Sequence, residues 1–407
     1  MNILFVTFYF PPEVGAPQRR IWEFAQKLKE RGHRVKILTG FPNYPKGKLI
    51  APYRRGLFLR ENMDGLEVLR VFHFFGSRRG KWGRALAEGS FAIAGSLAAL
   101  LESAPEVVIV ESPSLLSGWV GVILKRMRGM AFVLHLSDLI PEMVVALGLL
   151  SSGFLTNLLR QMAGLFYREA DGIAVVTEGL KSALVERGIN SGKIRLIMNG
   201  VDEDWMANGK EPRFRTRVNG FRVLYFGNHG AAQNLSVILD AAGDLENEGT
   251  IFNFFGDGIE KPRLVEKAEQ MRLTNVFFHG AVPRQEMAAK LLESDAVVVP
   301  LIGRAEMEAA IPSKLIEAMA MGKPVVLAAR GESAELVRRV DAGWVVEPDN
   351  PKALAEAIRA VRDNPLEALE KGRKGREFVR QNCLRSGLTE KLEKMLREIV
   401  LQKQKNR

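Results

Sequence analysis

This chain of 407 residues has a single cysteine, Cys383, which excludes an intramolecular disulfide framework and thiolate-rich zinc motifs. Its five histidines are scattered and show no H-E-x-x-H spacing, so no metal-ligand set is legible. The chain opens directly on an apolar run, MNILFVTFYF, with no basic segment or small-residue cleavage site before it, and a secretory signal peptide is not expected. The longest uncharged run, Met143–Leu159, is broken by Ser151, Ser152, Gly153, Thr156 and Asn157 and falls short of a spanning helix. A soluble or peripheral, metal-free protein of a reducing compartment is the expectation.

With 47% hydrophobic and 26% charged residues, the composition is that of a folded chain long enough for two domains. Lys and Arg exceed Asp and Glu by eleven, and residues 1–84 alone hold seventeen of the former against six of the latter. A segment so charged attracts nucleic acid, anionic lipid or phosphorylated substrates. No helix-turn-helix, zinc finger or aromatic stacking sheet accompanies it, which argues against nucleic acid. Arg78, Arg79, Lys81 and Arg84 surround Trp82 and precede the apolar stretch Ala85–Leu101. This pattern fits a peripheral contact with an anionic membrane surface, and equally an amphipathic helix packed on its own domain.

Short apolar, β-rich runs alternate with longer helical patterns, the rhythm of parallel sheets covered by helices on both faces. One series of strands is expected at Ile3–Thr7, Val35–Thr39, Leu66–Val71, Val107–Glu111, Ala131–Leu136, Gly172–Thr177 and Ile194–Met198. A second is expected at Phe221–Gly227, Ile251–Gly256, Val276–Gly280, Ala296–Pro300, Pro324–Ala328 and Gly343–Val346. Two doubly wound α/β domains follow, over 1–201 and 221–380. Between them the polar, charged, aperiodic stretch 202–220 reads as a linker, and 381–407 as a C-terminal helix and tail that packs back on the first domain.

Ligands of open parallel sheets bind at the carboxyl ends of strands, where helix starts present N–H groups to anions. After the first strand, Gly15 and Ala16 permit close backbone approach, with Arg19 and Arg20 following. The full G-x-G-x-x-G fingerprint is absent, which disfavours a dinucleotide site. The second domain offers Gly227-Asn228-His229-Gly230 and Gln233, then Gly256-Asp257-Gly258, with no Walker sequence; an ordinary βα turn is the plainer reading of each. The segment PSKLIEAMAMGKPVV, from Pro312, says most. Ser313 reads as an N-cap and Gly322 as the helix terminator, giving a helix start that carries Lys314, with Glu317 one turn on. A cation beside free N–H groups suits a diphosphate, and a nearby carboxylate suits vicinal sugar hydroxyls.

These motifs, with LKERGHRVKILTGFPNYPKGK from Leu28, DGLEVLRV from Asp64, SDLIPEMVVALG from Ser137, MNGVD from Met198, FHGAVPRQEM from Phe278, SDAVVVPL from Ser294 and GESAELV from Gly331, resemble the retaining nucleotide-sugar glycosyltransferases of family 4. The fucosamine-transferase-like branch of O-antigen and capsule assembly is the most similar. The resemblance implies a GT-B fold, two Rossmann-like domains facing a cleft in which the reaction takes place, with the donor on the second domain and the acceptor on the first. It implies that Glu317 binds the ribose, that Pro312, Ser313 and Lys314 face the diphosphate, that Val282 and Pro283 hold the base, and that Gly15 and Ala16 close on the diphosphate. Asp138, with Glu317 and Lys314, is the catalytic candidate, and His135 and Arg19 join Asp138 on the acceptor side.

Two departures stand out. Where the family has a first glutamate, this chain has Ala309, with Glu306 and Glu308 out of register, and the usual Arg and Lys of the first donor-domain loop are replaced by Asn228, His229 and Gln233. The expected activity is transfer of a sugar, an N-acetylated amino-deoxyhexose among the candidates, from a UDP donor to a polyprenyl-diphosphate-linked saccharide at the cytoplasmic membrane face, without cofactor or metal. A nucleotide-sugar 2-epimerase of the same fold and a non-catalytic sugar-nucleotide-binding module are the alternatives.

Overall fold

Parallel strands covered on both faces need apolar residues at nearly every position, and the runs that meet this condition form two sheets. The structure, a computed structural model, describes the chain apart from residues 14, 44–46, 55, 76–80, 149, 152, 209–219 and 406–407, and apart from the side chains of residues 81, 82 and 208. The chain divides into two units, Met1–Met198 with Arg385–Arg407, and Asn199–Leu384.

The first unit contains β1 (Asn2–Thr7), β2 (Arg34–Gly40), β3 (Phe58–Met63), β4 (Leu66–Val71), β5 (Val107–Glu111), β6 (Ala131–Leu136), β7 (Gly172–Val175) and β8 (Ile194–Leu196), in the order β3-β4-β2-β1-β5-β6-β7-β8. All pairs are parallel except β3–β4. Strand β3 was not expected: it is an edge strand with Phe58 and Leu59 exposed, so it lacks the buried apolar run that marks the others. Its partner begins at the Asp64-Gly65 turn, both residues at positive φ, the hairpin geometry that this dipeptide favours. The final helix, Arg385–Lys405, belongs to this unit, and Leu388, Leu392, Met395 and Leu396 are buried with Ile3, Phe5 and Val133. The C-terminal segment thus returns to the first unit, beginning at Arg385.

The second unit has one parallel sheet of β9 (Phe221–Phe226), β10 (Thr250–Phe255), β11 (Val276–His279), β12 (Ala296–Pro300), β13 (Val325–Ala328) and β14 (Gly343–Val346), in the order β11-β10-β9-β12-β13-β14. The order reverses at β9, where β10 lies on one side and β12 on the other, so ligand chemistry is expected at the carboxyl ends of these strands. The reading of Asp202–Gly220 as a structureless linker needs correction over its first part. Glu203–Asn208 is a helix, Asp202 Oδ1 accepts the Trp205 N–H at 2.7 Å as its cap, and Trp205 is buried. Residues 209–219 lie outside the described residues.

Helix Lys81–Leu101 departs from the amphipathic pattern. Ala87, Phe91, Ala92 and Ala99 are buried, while Leu86, Ile93, Leu97 and Leu101 face outward, so both faces are apolar. Its Gly83–Leu101 portion is long and apolar enough to cross a membrane by length and composition alone, yet one side packs on the helix Gly118–Arg128. Arg78 and Arg79, and the side chains of Lys81 and Trp82, lie outside the described residues.

Candidate functional site

In the second unit the helix Ser313–Ala320 follows β12. Its N-cap is Pro312, extended at φ −62° and ψ 138°, and no side chain caps the first turn. This corrects the expectation that Ser313 is the cap: Ser313 is already helical, and Leu315 N–H donates to the Pro312 carbonyl at 3.0 Å. An uncapped start leaves first-turn amides to an anion. At the other end Gly322, at φ +68°, terminates the helix as expected, with Gly322 N–H donating to Met319 O and Lys323 N–H to Ala318 O.

Lys314 projects from this start toward the end of β9. Its Nζ donates to Tyr225 Oη at 2.6 Å and stands 4.2 Å from the Tyr225 ring centroid, while the Tyr225 hydroxyl donates to the Asn228 carbonyl at 2.6 Å. Burial pushes the Lys314 ammonium down to about 7, with Glu317 acting in the opposite direction. A lysine buried to this degree and balanced near neutrality is arranged to gain a great deal from an anion brought to it.

The loops after β9 and β10 are zipped together below it. Gly227 N–H donates to Phe255 O and His229 N–H to Asp257 O, both at 2.9 Å. Gly256, at φ +136°, comes so close that a Cβ there would sit 2.0 Å from the Gly227 carbonyl oxygen, so only glycine fits. The His229 ring is 0% exposed, among Tyr225, Phe254 and Phe278, and burial with Lys261 and Lys314 nearby lowers its pKa to about 4. This imidazole is neutral and builds the loop, while exposed Asn228 presents its side chain at the surface. Gln233 closes the next turn, its Oε1 accepting Gly230 N–H at 3.1 Å, and Asp257 Oδ1 accepts Gly258 N–H at 2.8 Å. Lys261 was not anticipated: its Nζ reaches the loop but donates to the carbonyls of Gly256 and His279, at 2.8 and 2.6 Å.

Two family models divide the chain between them. "Glycosyl transferase 4-like domain" matches residues 15–200 and "Glycosyl transferases group 1" matches residues 220–364. The chain belongs to the group 1 and 4-like glycosyltransferases. It is 26% identical to the putative colanic acid biosynthesis glycosyl transferase WcaI of Escherichia coli K12, over 88% of this chain and 91% of the relative. Among solved structures it resembles sucrose-phosphate synthase from Thermosynechococcus elongatus, with a TM-score of 0.76 at 18% identity over 98% of this chain and 99% of that one. Anabaena HepE in complex with UDP-glucose gives a TM-score of 0.72 at 16% identity, over 98% and 100% of the two chains. These likenesses establish the GT-B fold.

In the first unit of this glycosyltransferase the expected residues fall at two places, the start of the helix that follows β1 and the carboxyl end of β6. Gly15 and Ala16 are exposed at the uncapped start of the helix Ala16–Glu30. Glu111, which sequence reasoning did not single out, ends the wholly apolar run of β5 and is 1% exposed. One of its carboxylate oxygens pairs with Arg20, and the other lies 2.9 Å from His135 Nδ1 on the neighbouring strand. Burial lowers the His135 pKa, with Glu111 pulling the other way, and the ring sits beside Phe24 in the interior. His135 is thus an interior residue, 1% exposed. Asp138 lies just beyond β6, accepts the Ser137 hydroxyl at 3.3 Å, and is pushed up by burial against the pull of Arg20. It lines a small pocket with Ser112, Ser114, Ile140 and Tyr167. Arg19 stands 4.0 Å from Glu23, whose carboxylate is held at 2.8 Å by Arg385 of the final helix.

Ala309, at the position of the family's first glutamate, is half-buried, while Glu306 and Glu308 beside it are exposed. The Glu308 carbonyl accepts Glu332 N–H at 2.7 Å, which ties this loop to the start of the helix Gly331–Val340. Val282 and Pro283 precede the helix Arg284–Glu293 at the end of β11.

Proposed function

We propose that this glycosyltransferase is a retaining, metal-independent hexosyltransferase of cell-surface polysaccharide assembly. It takes a sugar from a UDP-linked donor, an N-acetylated amino-deoxyhexose among the candidates, and gives it to a lipid-linked saccharide. The observation that carries the reading is the Lys314 ammonium, buried against Tyr225 at an uncapped helix start, with Glu317 one turn further along.

In retaining transfer the bond from the anomeric carbon to the diphosphate breaks, an oxocarbenium-like state forms, and the acceptor oxygen bonds on the same face as its proton passes to the leaving diphosphate. Negative charge grows on the leaving diphosphate, and in this reading Lys314 and the amides of Ser313 and its neighbours receive it. Glu317 accepts hydrogen bonds from the ribose hydroxyls. Asp138 meets the acceptor hydroxyl in the first unit, its carboxylate made more basic than usual by burial. WcaI, named for colanic acid biosynthesis, supports the polysaccharide assignment, and HepE, solved with UDP-glucose, supports a UDP-linked donor.

The enzyme works at the cytoplasmic face of a membrane, held there peripherally by the outward Leu86, Ile93, Leu97 and Leu101 of the Lys81–Leu101 helix. Incubation with radiolabelled UDP-sugars and a polyprenyl-diphosphate saccharide tests the activity. Label moving to the lipid-linked product is expected, whereas epimerised donor with no transfer would replace this reading by an epimerase.

A further inference from the structure

The segment that leads into the second unit grips the helix at the centre of the donor reading. We infer that Asn199–Met206 is a positioning element for the Ser313–Ala320 helix, and that Asn199 and Trp205 fix where Glu317 and the helix start stand; this rests on the donor reading above. Asn199 Nδ2 donates to the Ile311 carbonyl at 3.1 Å, just ahead of the helix, and Trp205 Nε1 donates to the Glu317 carbonyl at 3.0 Å. Arg376 joins the two partners, donating from Nη1 to Ala320 O at 2.8 Å and from Nη2 to Met206 O at 2.9 Å. The Ala320 carbonyl belongs to the last turn, where an α-helix has no intrahelical donor to offer.

The grip is itself braced. Asp202 accepts Trp205 N–H with one oxygen and pairs with Arg284 Nη1 at 2.6 Å through the other, and the Arg284 guanidinium lies 4.4 Å over the Trp205 ring. Arg284 directly follows Val282 and Pro283. One indole therefore links the loop assigned to the base with the back of the residue assigned to the ribose. Val201 N–H donates to Cys383 O at 3.0 Å, fastening the incoming segment to the end of the unit.

Packing alone would accept any large apolar side chain at position 205, since the site is 2% exposed. The indole N–H adds what packing cannot, a directed bond to one carbonyl of an eight-residue helix that is too short to hold its own register. A carboxylate that must meet two vicinal hydroxyls tolerates little displacement, which is why anchoring its backbone bears on affinity.

Trp205→Phe keeps an aromatic ring, a smaller one, and removes the N–H, and Asn199→Ala removes the other tie. In calorimetric titration of the full chain with UDP, each variant is expected to bind about three- to tenfold more weakly than wild type, the worth of one neutral hydrogen bond. In the transfer assay the donor KM should rise while the acceptor KM stays put, and the melting midpoint should fall by about 2–4 °C. Trp344→Phe, in β14 of the same unit, should bind as wild type does. Amide exchange over residues 313–320 in the absence of nucleotide should quicken in Trp205→Phe, and Asn199→Ala carries the test if the tryptophan variant does not fold. UDP affinity and exchange unchanged in both variants overturn the inference and leave the donor reading standing. A wild type that binds no nucleoside diphosphate overturns the donor reading and, with it, this assignment.

Discussion

Lys314 makes donor binding depend on pH in a way that can be worked out in sign and size. In the ligand-free fold, burial holds its ammonium down to about 7, against an ordinary lysine value of 10.5. A bound diphosphate favours the charged form, so above about pH 7 binding must first return a proton to Lys314. Each pH unit then costs about tenfold in affinity, or ~1.4 kcal/mol, and the interval from pH 7 to 9 costs on the order of a hundredfold. The folding linkage has the opposite sense. Because the native pKa is depressed below the unfolded one, the cost of burying the cation is fully present at pH 7 and below and is relieved as pH rises toward the ordinary value. Calorimetric titration of a UDP-sugar, whose diphosphate does not titrate in this range, should therefore weaken steadily from pH 7 to 9 and take up protons as it binds. Lys314→Arg keeps its charge throughout and should give a flat profile, and Lys314→Met a flat and weaker one. A wild-type affinity that is level from pH 7 to 9, or a slope that survives in Lys314→Met, refutes the reasoning.

Glu317→Ala should weaken UDP binding by roughly ten- to a hundredfold, the worth of charge-assisted hydrogen bonds, while binding of inorganic pyrophosphate, which has no ribose, changes little; equilibrium titration checks this. Glu111→Gln leaves Arg20 and the His135 region without a buried carboxylate, and denaturant unfolding should show a loss of about 3–5 kcal/mol in the first unit. Ile93→Glu with Leu97→Glu should lower the fraction bound to anionic vesicles at least tenfold without moving the melting midpoint, because both side chains already face outward. An unaltered bound fraction would remove the Lys81–Leu101 helix from any membrane role.

The two sheets were legible because parallel strands buried on both faces leave continuous apolar runs, as in the VVIVE of β5 and the AVVVP of β12. Strand β3 left no such trace: it pairs on one side only and exposes its aromatic residue, and the Asp64-Gly65 turn was its one sign. The Glu203–Asn208 helix is too short for a periodic pattern, although Asp202 followed by Glu203 and Asp204 is an N-terminal signature that could have disclosed it. At the site, the composition of each loop was readable but its partners were not. Tyr225 sits inside a strand 89 residues from Lys314, and Glu111 reads as the polar end of an apolar run until the sheet sets it beside Arg20 and His135. The cap at Pro312 shows the limit of residue preference, because serine caps a helix only where its oxygen can reach back to the first-turn amides.

The central claim, that the second unit holds the diphosphate of a nucleotide sugar, is tested most directly by the melting midpoint of the purified full chain with UDP, GDP, ADP and their sugar conjugates, with and without EDTA. A ligand at a hundred times its dissociation constant adds about 2.7 kcal/mol to the native state, a readily measured shift. The account predicts a rise with UDP and UDP-sugars that EDTA leaves intact and that Lys314→Met makes smaller. No rise with any nucleoside diphosphate would contradict it.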